Sequence, residues 1–223
     1  MQNLTEKFVK EVEQRILTGQ WEIGMKIPSS RALADEFFVS RSVINAGIAE
    51  LCCNGYLTTV PKGSVYVADW RKMGNFALIG GLIDNDLVDL HAIDSLLEGR
   101  MAIYKVIVRK AAQMRTEEDL AQLRLIIDGE KDCTTPEEKT KADEAFHHAI
   151  AAASHNIVYT VMMNSFSAVT EKLTLRFYQK PINHDFVVQT HERILEALRS
   201  RDPDGAEQAM EALLAHGEAE LRK

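Results

Sequence analysis

The chain has 223 residues and a formal net charge of −7, with 33 acidic against 26 basic residues. This length holds one large domain or two smaller ones, each with enough residues for a hydrophobic core. The overall charge is negative and gives no support for nucleic-acid binding. Any such function must therefore depend on a few well-placed cations. No apolar run approaches the roughly 18 residues that a membrane span needs, and we expect no membrane partner.

The cysteines indicate the redox environment. They are Cys52, Cys53 and Cys133. Adjacent cysteines seldom pair with each other, and an odd number without a signal peptide is typical of reduced thiols. We therefore expect a cytoplasmic protein without disulfides.

Two helices are predicted before residue 40. The first carries an apolar stripe at helical spacing and ends at Gly19; the stripe consists of Leu4, Phe8, Val9, Val12, Ile16 and Leu17. The second starts near Pro28, because Ser29 or Ser30 can cap its free amide groups, and it ends at Phe38.

The third predicted helix begins after Ser40 and has two different faces. Its apolar face repeats at helical spacing and consists of Ile44, Ile48, Leu51 and Cys52. Its opposite face consists of Arg41, Ser42, Asn45 and Ala49. Short polar side chains and one arginine suit a helix that lies in the major groove of DNA and hydrogen-bonds base edges.

A predicted β-hairpin follows this helix. Asn54-Gly55 ends the helix, and β-branched and aromatic residues occupy 56–60 and 65–67. Pro61-Lys62-Gly63 between the two runs is a turn with a basic tip. Two helices and a hairpin in this order predict a helix-turn-helix with a wing.

Residues 28–69 resemble the winged helix-turn-helix of the GntR family of bacterial transcription regulators. The matching residues are Pro28, Ser29, Arg31, Leu33, Ala34, Val39, Ser40, Arg41, Ile44, Ile48, Leu51 and Gly55. This resemblance implies that double-stranded operator DNA is contacted by the side chains of Arg31, Ser40, Arg41 and Ser42 and by the wing tip at Lys62 and Gly63.

The rest of the chain is predicted to be helical. Beyond a linker at 71–75, amphipathic helices fit residues 76–84, 86–113, 116–132, 136–154, 157–179, 184–200 and 203–222. We expect a mostly α protein with two domains. The first, at 1–70, is a winged helix-turn-helix of three helices and a small β-hairpin, and the second, at 76–223, is an all-α helical bundle.

The predicted bundle carries polar side chains where a core is expected. Asp143 and His147 are four residues apart, which stacks them about 6 Å apart along one side of a helix, within reach of one metal ion or ligand. His191 lies in the middle of an apolar stripe, and His216 lies on one side of the last helix. A single buried histidine is more often a paired core residue than a ligand. Arg100 is a candidate for clamping a carboxylate.

Residues 143–156 and 190–206 resemble the effector domain of the FadR branch of the GntR family. The resemblance implies an effector-binding and dimerisation domain in which Asp143, His147 and His191 bind a divalent metal, for example zinc, nickel or manganese, or the effector itself. The family's last histidine ligand falls at Leu213, three residues before His216. His216 therefore reaches the same ion only if its helix shifts.

Together these features predict an effector-responsive regulator, not an enzyme, that binds a palindromic operator as a homodimer. The leading effector is a small carboxylate that chelates the metal and pairs with Arg100. The alternative is a fatty-acyl effector in a metal-free pocket, formed by Phe146, Met162, Met163, Phe166 and Phe177. An alternative of another class is a metal-dependent hydrolase with Glu144 or Glu192 as base, although the sequence has no HExxH motif.

The third helix departs from the family pattern in a way that predicts altered DNA specificity. The family usually has Thr-x-Arg where this chain has Val43-Ile44-Asn45. A bidentate base contact contributes roughly 1 to 3 kcal/mol of discrimination, and Asn45 is a candidate for reading adenine. Selection of bound sequences from a random DNA pool should therefore yield an operator unlike the common family half-site. Recovery of that common half-site would contradict the prediction.

Overall fold

The computed structural model describes residues 3–61, 63–84, 90–180 and 182–222. They form two compact units, one that includes the described residues up to 84 and one that starts at residue 90. Among the helices within these ranges, none is long and apolar enough to cross a membrane.

The N-terminal unit begins with three helices, α1 (Leu4–Leu17), α2 (Ser30–Phe37) and α3 (Arg41–Cys53). Ser29 and Ser40 cap α2 and α3, since their hydroxyl oxygens accept hydrogen bonds from the backbone amides of Ala32 (3.2 Å) and Val43 (3.4 Å). Both caps confirm the predicted helix starts.

The predicted wing is present as a two-stranded antiparallel hairpin. Strand β1 (Leu57–Thr59) pairs with β2 (Val65–Val67), with Thr58 opposite Tyr66. Gly63 in the connecting turn has a φ of +80°, a left-handed conformation that glycine adopts at little cost. Lys62, the predicted basic residue of the tip, lies outside the described residues.

Two helices follow the wing, α4 (Trp70–Met73) and α5 (Phe76–Asp84). Asn75 links α5 to α3 through its side-chain amide. Its nitrogen donates to the backbone carbonyl of Cys53 (3.1 Å), and its oxygen accepts from the backbone amide of Ala77 (2.9 Å). One side chain therefore caps the C-terminus of α3 and the N-terminus of α5.

The position of α5 differs from the sequence-based division of the chain. The sequence placed residues 76–84 in the second domain and residues 71–75 in a linker, whereas α4 and α5 belong to the N-terminal unit. The hydroxyl of Tyr56 also donates to the carbonyl of Leu78 (3.4 Å), and Leu78 packs against the core of this unit. Apolar spacing predicts a helix but not the surface on which it packs, which explains the difference.

The C-terminal unit is a helical bundle. Its helices are α6 (Leu90–Met114), α7 (Glu117–Lys131), α8 (Pro136–Ala153), α9 (Ile157–Tyr178), α10 (Ile182–Arg199) and α11 (Pro203–Leu221). Thr116 and Thr135 form capping boxes with Asp119 and Glu138, which accounts for the agreement between predicted and observed starts of α7 and α8. Helix α8 packs against α6, α7 and α9, and α10 packs against α7 and α11.

Gly47 allows α1 and α3 to pack closely. A Cβ atom at this position would overlap the ring of Phe8, which is 1% exposed and packs edge-on against Phe37. Replacement by alanine gains about 1 kcal/mol in helix propensity but overpacks the core, which typically costs 1 to 3 kcal/mol.

We expect Gly47→Ala to destabilise the N-terminal unit by roughly 1 kcal/mol. Denaturant unfolding followed by tryptophan fluorescence measures this, because both tryptophans of the chain, Trp21 and Trp70, lie in that unit. The matched control is Ala46→Gly on the exposed side of the same helix, which should lose only the propensity term of about 1 kcal/mol. A stabilised Gly47→Ala variant would contradict the packing explanation.

Glu13 of α1 should make the stability of this unit depend on pH. Burial, and to a lesser extent the charge of Glu50, raise the pKa of Glu13 from 4.5 to about 7. A raised folded-state pKa means that the folded unit holds the proton more tightly than the unfolded chain does. The contribution of Glu13 to stability is therefore greatest below about pH 4.5, falls between pH 4.5 and 7, and stays lowered above pH 7.

We expect Glu13→Gln to stabilise the unit at pH 8, by on the order of 1 kcal/mol once screening of the half-buried carboxylate is allowed for. The difference from wild type should vanish near pH 4.5. Tryptophan-monitored unfolding at both pH values measures it, with the exposed Glu22→Gln as the charge-matched control. A constant difference at both pH values would exclude Glu13 as the titrating group.

Candidate functional site

Predicted DNA-binding residues from three elements meet in one groove of the N-terminal unit. Arg31 comes from α2, Arg41 begins α3, and Gly63 belongs to the wing turn. Lys26 also lines the groove and was not predicted; its backbone bridges to Tyr66 of the wing. The sequence signal for Lys26 was its position two residues before Pro28. The groove gathers three cations, which suits a phosphate backbone.

The polar face of α3 is oriented as predicted. Arg41, Ser42 and Asn45 are exposed, whereas Ile44 is fully buried. The hydroxyl oxygens of Ser40 and Ser42 lie 2.8 Å apart at the N-terminus of this helix. Helix N-termini attract anions, so this end of α3 is chemically suited to a DNA phosphate.

The C-terminal unit brings Asp143 and His147 of α8 together with His191 of α10. One potential ligand atom of each lies within 4.8 Å of the other two. The Nε2 atom of His147 is 3.8 Å from Asp143 Oδ2, and the Nε2 atom of His191 is 3.7 Å from Asp143 Oδ1. The sequence predicted these three residues as one site, and the fold places them in one cluster.

Burial sets the protonation of this cluster. Burial raises the pKa of Asp143, while the positive charge of Arg100 opposes the shift. Burial also lowers the pKa of His147 well below its usual value, and the charge of Arg100 lowers it further. His147 is therefore neutral at pH 7, which is the form of histidine that binds metal ions.

The geometry fits a divalent metal. Two ligand atoms at 2.0 to 2.2 Å from a tetrahedral ion lie roughly 3.3 to 3.6 Å apart. The three candidate ligand atoms lie within 4.8 Å of one another, so the widest separation must shrink by about 1 Å when an ion binds. The Nε2 atom of His191 is buried and has no hydrogen-bond partner among the described residues. A buried nitrogen without a partner costs roughly 1 to 3 kcal/mol, and binding a metal would remove that cost.

Two further residues of the cluster were not predicted. Glu130 of α7 is 0% exposed, and its Oε2 atom lies 2.8 Å from His191 Nδ1. The hydroxyl of Tyr178, at the end of α9, donates to Asp143 Oδ1 (3.2 Å). Burial raises the pKa of Tyr178, so the hydroxyl keeps the proton that it donates. A carboxylate that continues the apolar stripe of α7 was the signal for Glu130; nothing in the sequence singled out Tyr178.

A cavity of about 40 Å³ adjoins the cluster. Its polar lining consists of Arg100, Asp143, His147, Thr170 and Thr174. The guanidinium carbon of Arg100 is 4.8 Å from the ring centroid of Tyr104. The Nε atom of Arg100 is buried and has no hydrogen-bond partner in the described part of the chain. The volume corresponds to roughly three water molecules. A small anionic ligand would meet both Arg100 and the metal ligands there.

The fold does not bring His216 into this cluster. Its Nε2 atom lies 3.2 Å from Asn183 Oδ1, and its ring centroid is 4.1 Å from that of Phe186. Leu213, one turn earlier on α11, lines the cavity instead. The three-residue offset between Leu213 and His216 thus separates the imidazole from the other ligands, as the helix geometry predicts.

The residues predicted for the fatty-acyl and hydrolase alternatives are found in the core, in the lining of the cavity and in an ion-paired group. Phe146, Met163 and Phe166 are at most 2% exposed and belong to the core, while Phe177 lines the cavity. Glu192, a base in the hydrolase alternative, pairs with Arg124 (2.7 Å) and Lys131 (2.9 Å). These ion pairs lower the pKa of Glu192 to about 2, which makes it a poor base.

Comparisons with known proteins agree with both units. The model of the gntR family of bacterial regulatory proteins matches residues 4–67, and the FCD domain model matches residues 95–216, more than half of the chain. A protein of Escherichia coli named as an L-lactate dehydrogenase operon regulator is 29% identical, over 95% of this chain and 84% of its own length. The galactonate operon transcriptional repressor of the same organism is 26% identical, over 99% of this chain and 98% of its own length.

A solved structure shows the same fold. Lar, which controls the expression of the Listeria monocytogenes agr system, superposes with a TM-score of 0.68 at 16% identity, over 100% of this chain and 98% of its own. The chain therefore belongs to the gntR family of bacterial transcription regulators, with a helix-turn-helix domain followed by an effector-binding FCD domain.

Proposed function

We propose that this regulator is a metal-dependent switch of the FadR branch that responds to a small hydroxycarboxylate. The observation that carries the proposal is the buried cluster of Asp143, His147 and His191 beside the cavity that Arg100 lines. Buried titratable groups that converge on a cavity are characteristic of ligand sites.

The metal ligands and Arg100 together suit a carboxylate. Three protein ligands leave coordination positions open, so a bound metal would supply positive charge and sites for oxygen atoms of the effector. Arg100 would then pair with the carboxylate. The operons named for the two E. coli relatives concern galactonate and L-lactate, which are both hydroxycarboxylates. A cavity of about 40 Å³ favours an acid nearer lactate in size, and it gives little room for an acyl chain.

The DNA-binding part of the proposal concerns two copies of the chain. A homodimer would place two α3 helices in successive major grooves of a palindromic operator, with half-sites about one helical turn apart. Arg31, Arg41 and the wing turn at Gly63 line one groove and would contact the DNA backbone. Ser40, Ser42 and Asn45 are also exposed and would contact the DNA from α3. Lys26, from the same groove, joins this set.

Regulation requires that the effector favours one arrangement of the DNA-binding units over another, because only differential affinity shifts a population. Asn75 is hydrogen-bonded to the end of α3 and to the start of α5, and these bonds would couple movements of the two helices. A displacement of α5 would therefore displace the helix that reads the operator.

Elemental analysis of the purified, unchelated protein tests the proposal. We expect about one zinc, nickel or manganese ion per chain, and a loss of affinity of tenfold or more in His147→Ala, which removes one of three ligands. His216→Ala is the matched control, since His216 pairs with Asn183 outside the cluster, and it should keep the metal. A wild-type protein without metal after incubation with excess ion, or equal losses in the two variants, would contradict the proposed site.

A further inference from the structure

Glu130 is a fully buried carboxylate that is not one of the candidate metal ligands. Its Oε2 atom lies 2.8 Å from His191 Nδ1, and its Oε1 atom has no partner within the ranges that the structure describes. Glutamate is almost never fully buried unless it is paired, and an apolar residue would fill the same space at lower cost. Its position on α7, in contact with His191 of α10, therefore indicates a role toward His191.

The contacts of His191 define the orientation of its ring. The Nδ1 atom faces Glu130, the Nε2 atom faces Asp143 at 3.7 Å, and the ring stacks on Phe146 with centroids 3.7 Å apart and planes inclined by 19°. Stacking holds the plane of the imidazole, and the carboxylate of Glu130 is placed to accept a hydrogen bond from Nδ1–H. Neutral His191 then has its lone pair on Nε2, which is the atom that faces the cluster.

We propose that Glu130 is a positioning residue that holds His191 in the Nδ1-protonated tautomer, and so makes its Nε2 atom available as a metal ligand. This inference rests on the metal site proposed above. Without Glu130, the nearest carboxylate to the imidazole is Asp143, which would draw the proton to Nε2 and block that atom. Carboxylates behind ligating histidines typically change metal affinity 10- to 100-fold.

Zinc affinity, measured by competition with a chromophoric chelator, tests this role in wild type and three full-length variants. We expect Glu130→Leu to weaken zinc binding at least tenfold. Glu130→Gln keeps a carbonyl acceptor for Nδ1–H and should recover part of that loss. Glu192→Gln is the control, because it removes the same charge next to His191 in sequence, at a carboxylate that pairs with Arg124 and Lys131. Its zinc affinity should stay within twofold of wild type.

Nitrogen-15 NMR of the histidine side chains in chelator-treated protein tests the tautomer without metal. We expect His191 to be protonated at Nδ1 in the wild type and to shift toward Nε2 protonation in Glu130→Leu, which a merely structural role would not cause. Zinc affinity of Glu130→Leu within twofold of wild type, or Nε2 protonation in the wild type itself, would overturn the inference. If the wild type binds no zinc, the metal proposal fails, and the NMR result still decides the role of Glu130. If Glu130→Leu does not fold, Glu130→Gln and the wild-type tautomer decide it.

Discussion

The C-terminal unit depends on the burial of Asp143, His147 and His191 inside an otherwise apolar bundle. Polar groups in such surroundings cost several kcal/mol unless each is paired. Glu130 and Tyr178 supply partners on the outer side of the cluster, while the Nε2 atom of His191 is left without one among the described residues. The bundle therefore buries a polar cluster to which helices α7, α8, α9 and α10 each contribute a side chain.

The N-terminal unit is organised around the orientation of α3. Ser40 caps its start, Gly47 lets Phe8 pack against its middle, and Asn75 caps its end while starting α5. Each of these contacts fixes one part of the helix without using the exposed face that carries Arg41 and Asn45. The exposed face of α3 takes no part in these contacts, so we expect substitutions on it to have little effect on stability.

Local sequence signals predicted most of the fold, and long-range contacts account for what they missed. Caps such as Thr116 and Thr135, together with the apolar stripes, placed the helices of the bundle to within a few residues. Helical spacing also paired Asp143 with His147. Glu130 and His191 are 61 residues apart, and Asn75 reaches Cys53 across 22 residues, so no local pattern shows these partners. The packing of α5 on the N-terminal unit was missed for the same reason.

The proposed switch requires that the cluster in the bundle controls DNA binding. We would test this by measuring the affinity of wild type and Asp143→Asn for a selected operator, with zinc present, while small hydroxycarboxylates are titrated. We expect one such acid to change the wild-type affinity at least fivefold, which corresponds to about 1 kcal/mol of coupling, and to leave the affinity of the variant unchanged. An equal change in both proteins, or no change in a metal-loaded wild type with any acid, would contradict it.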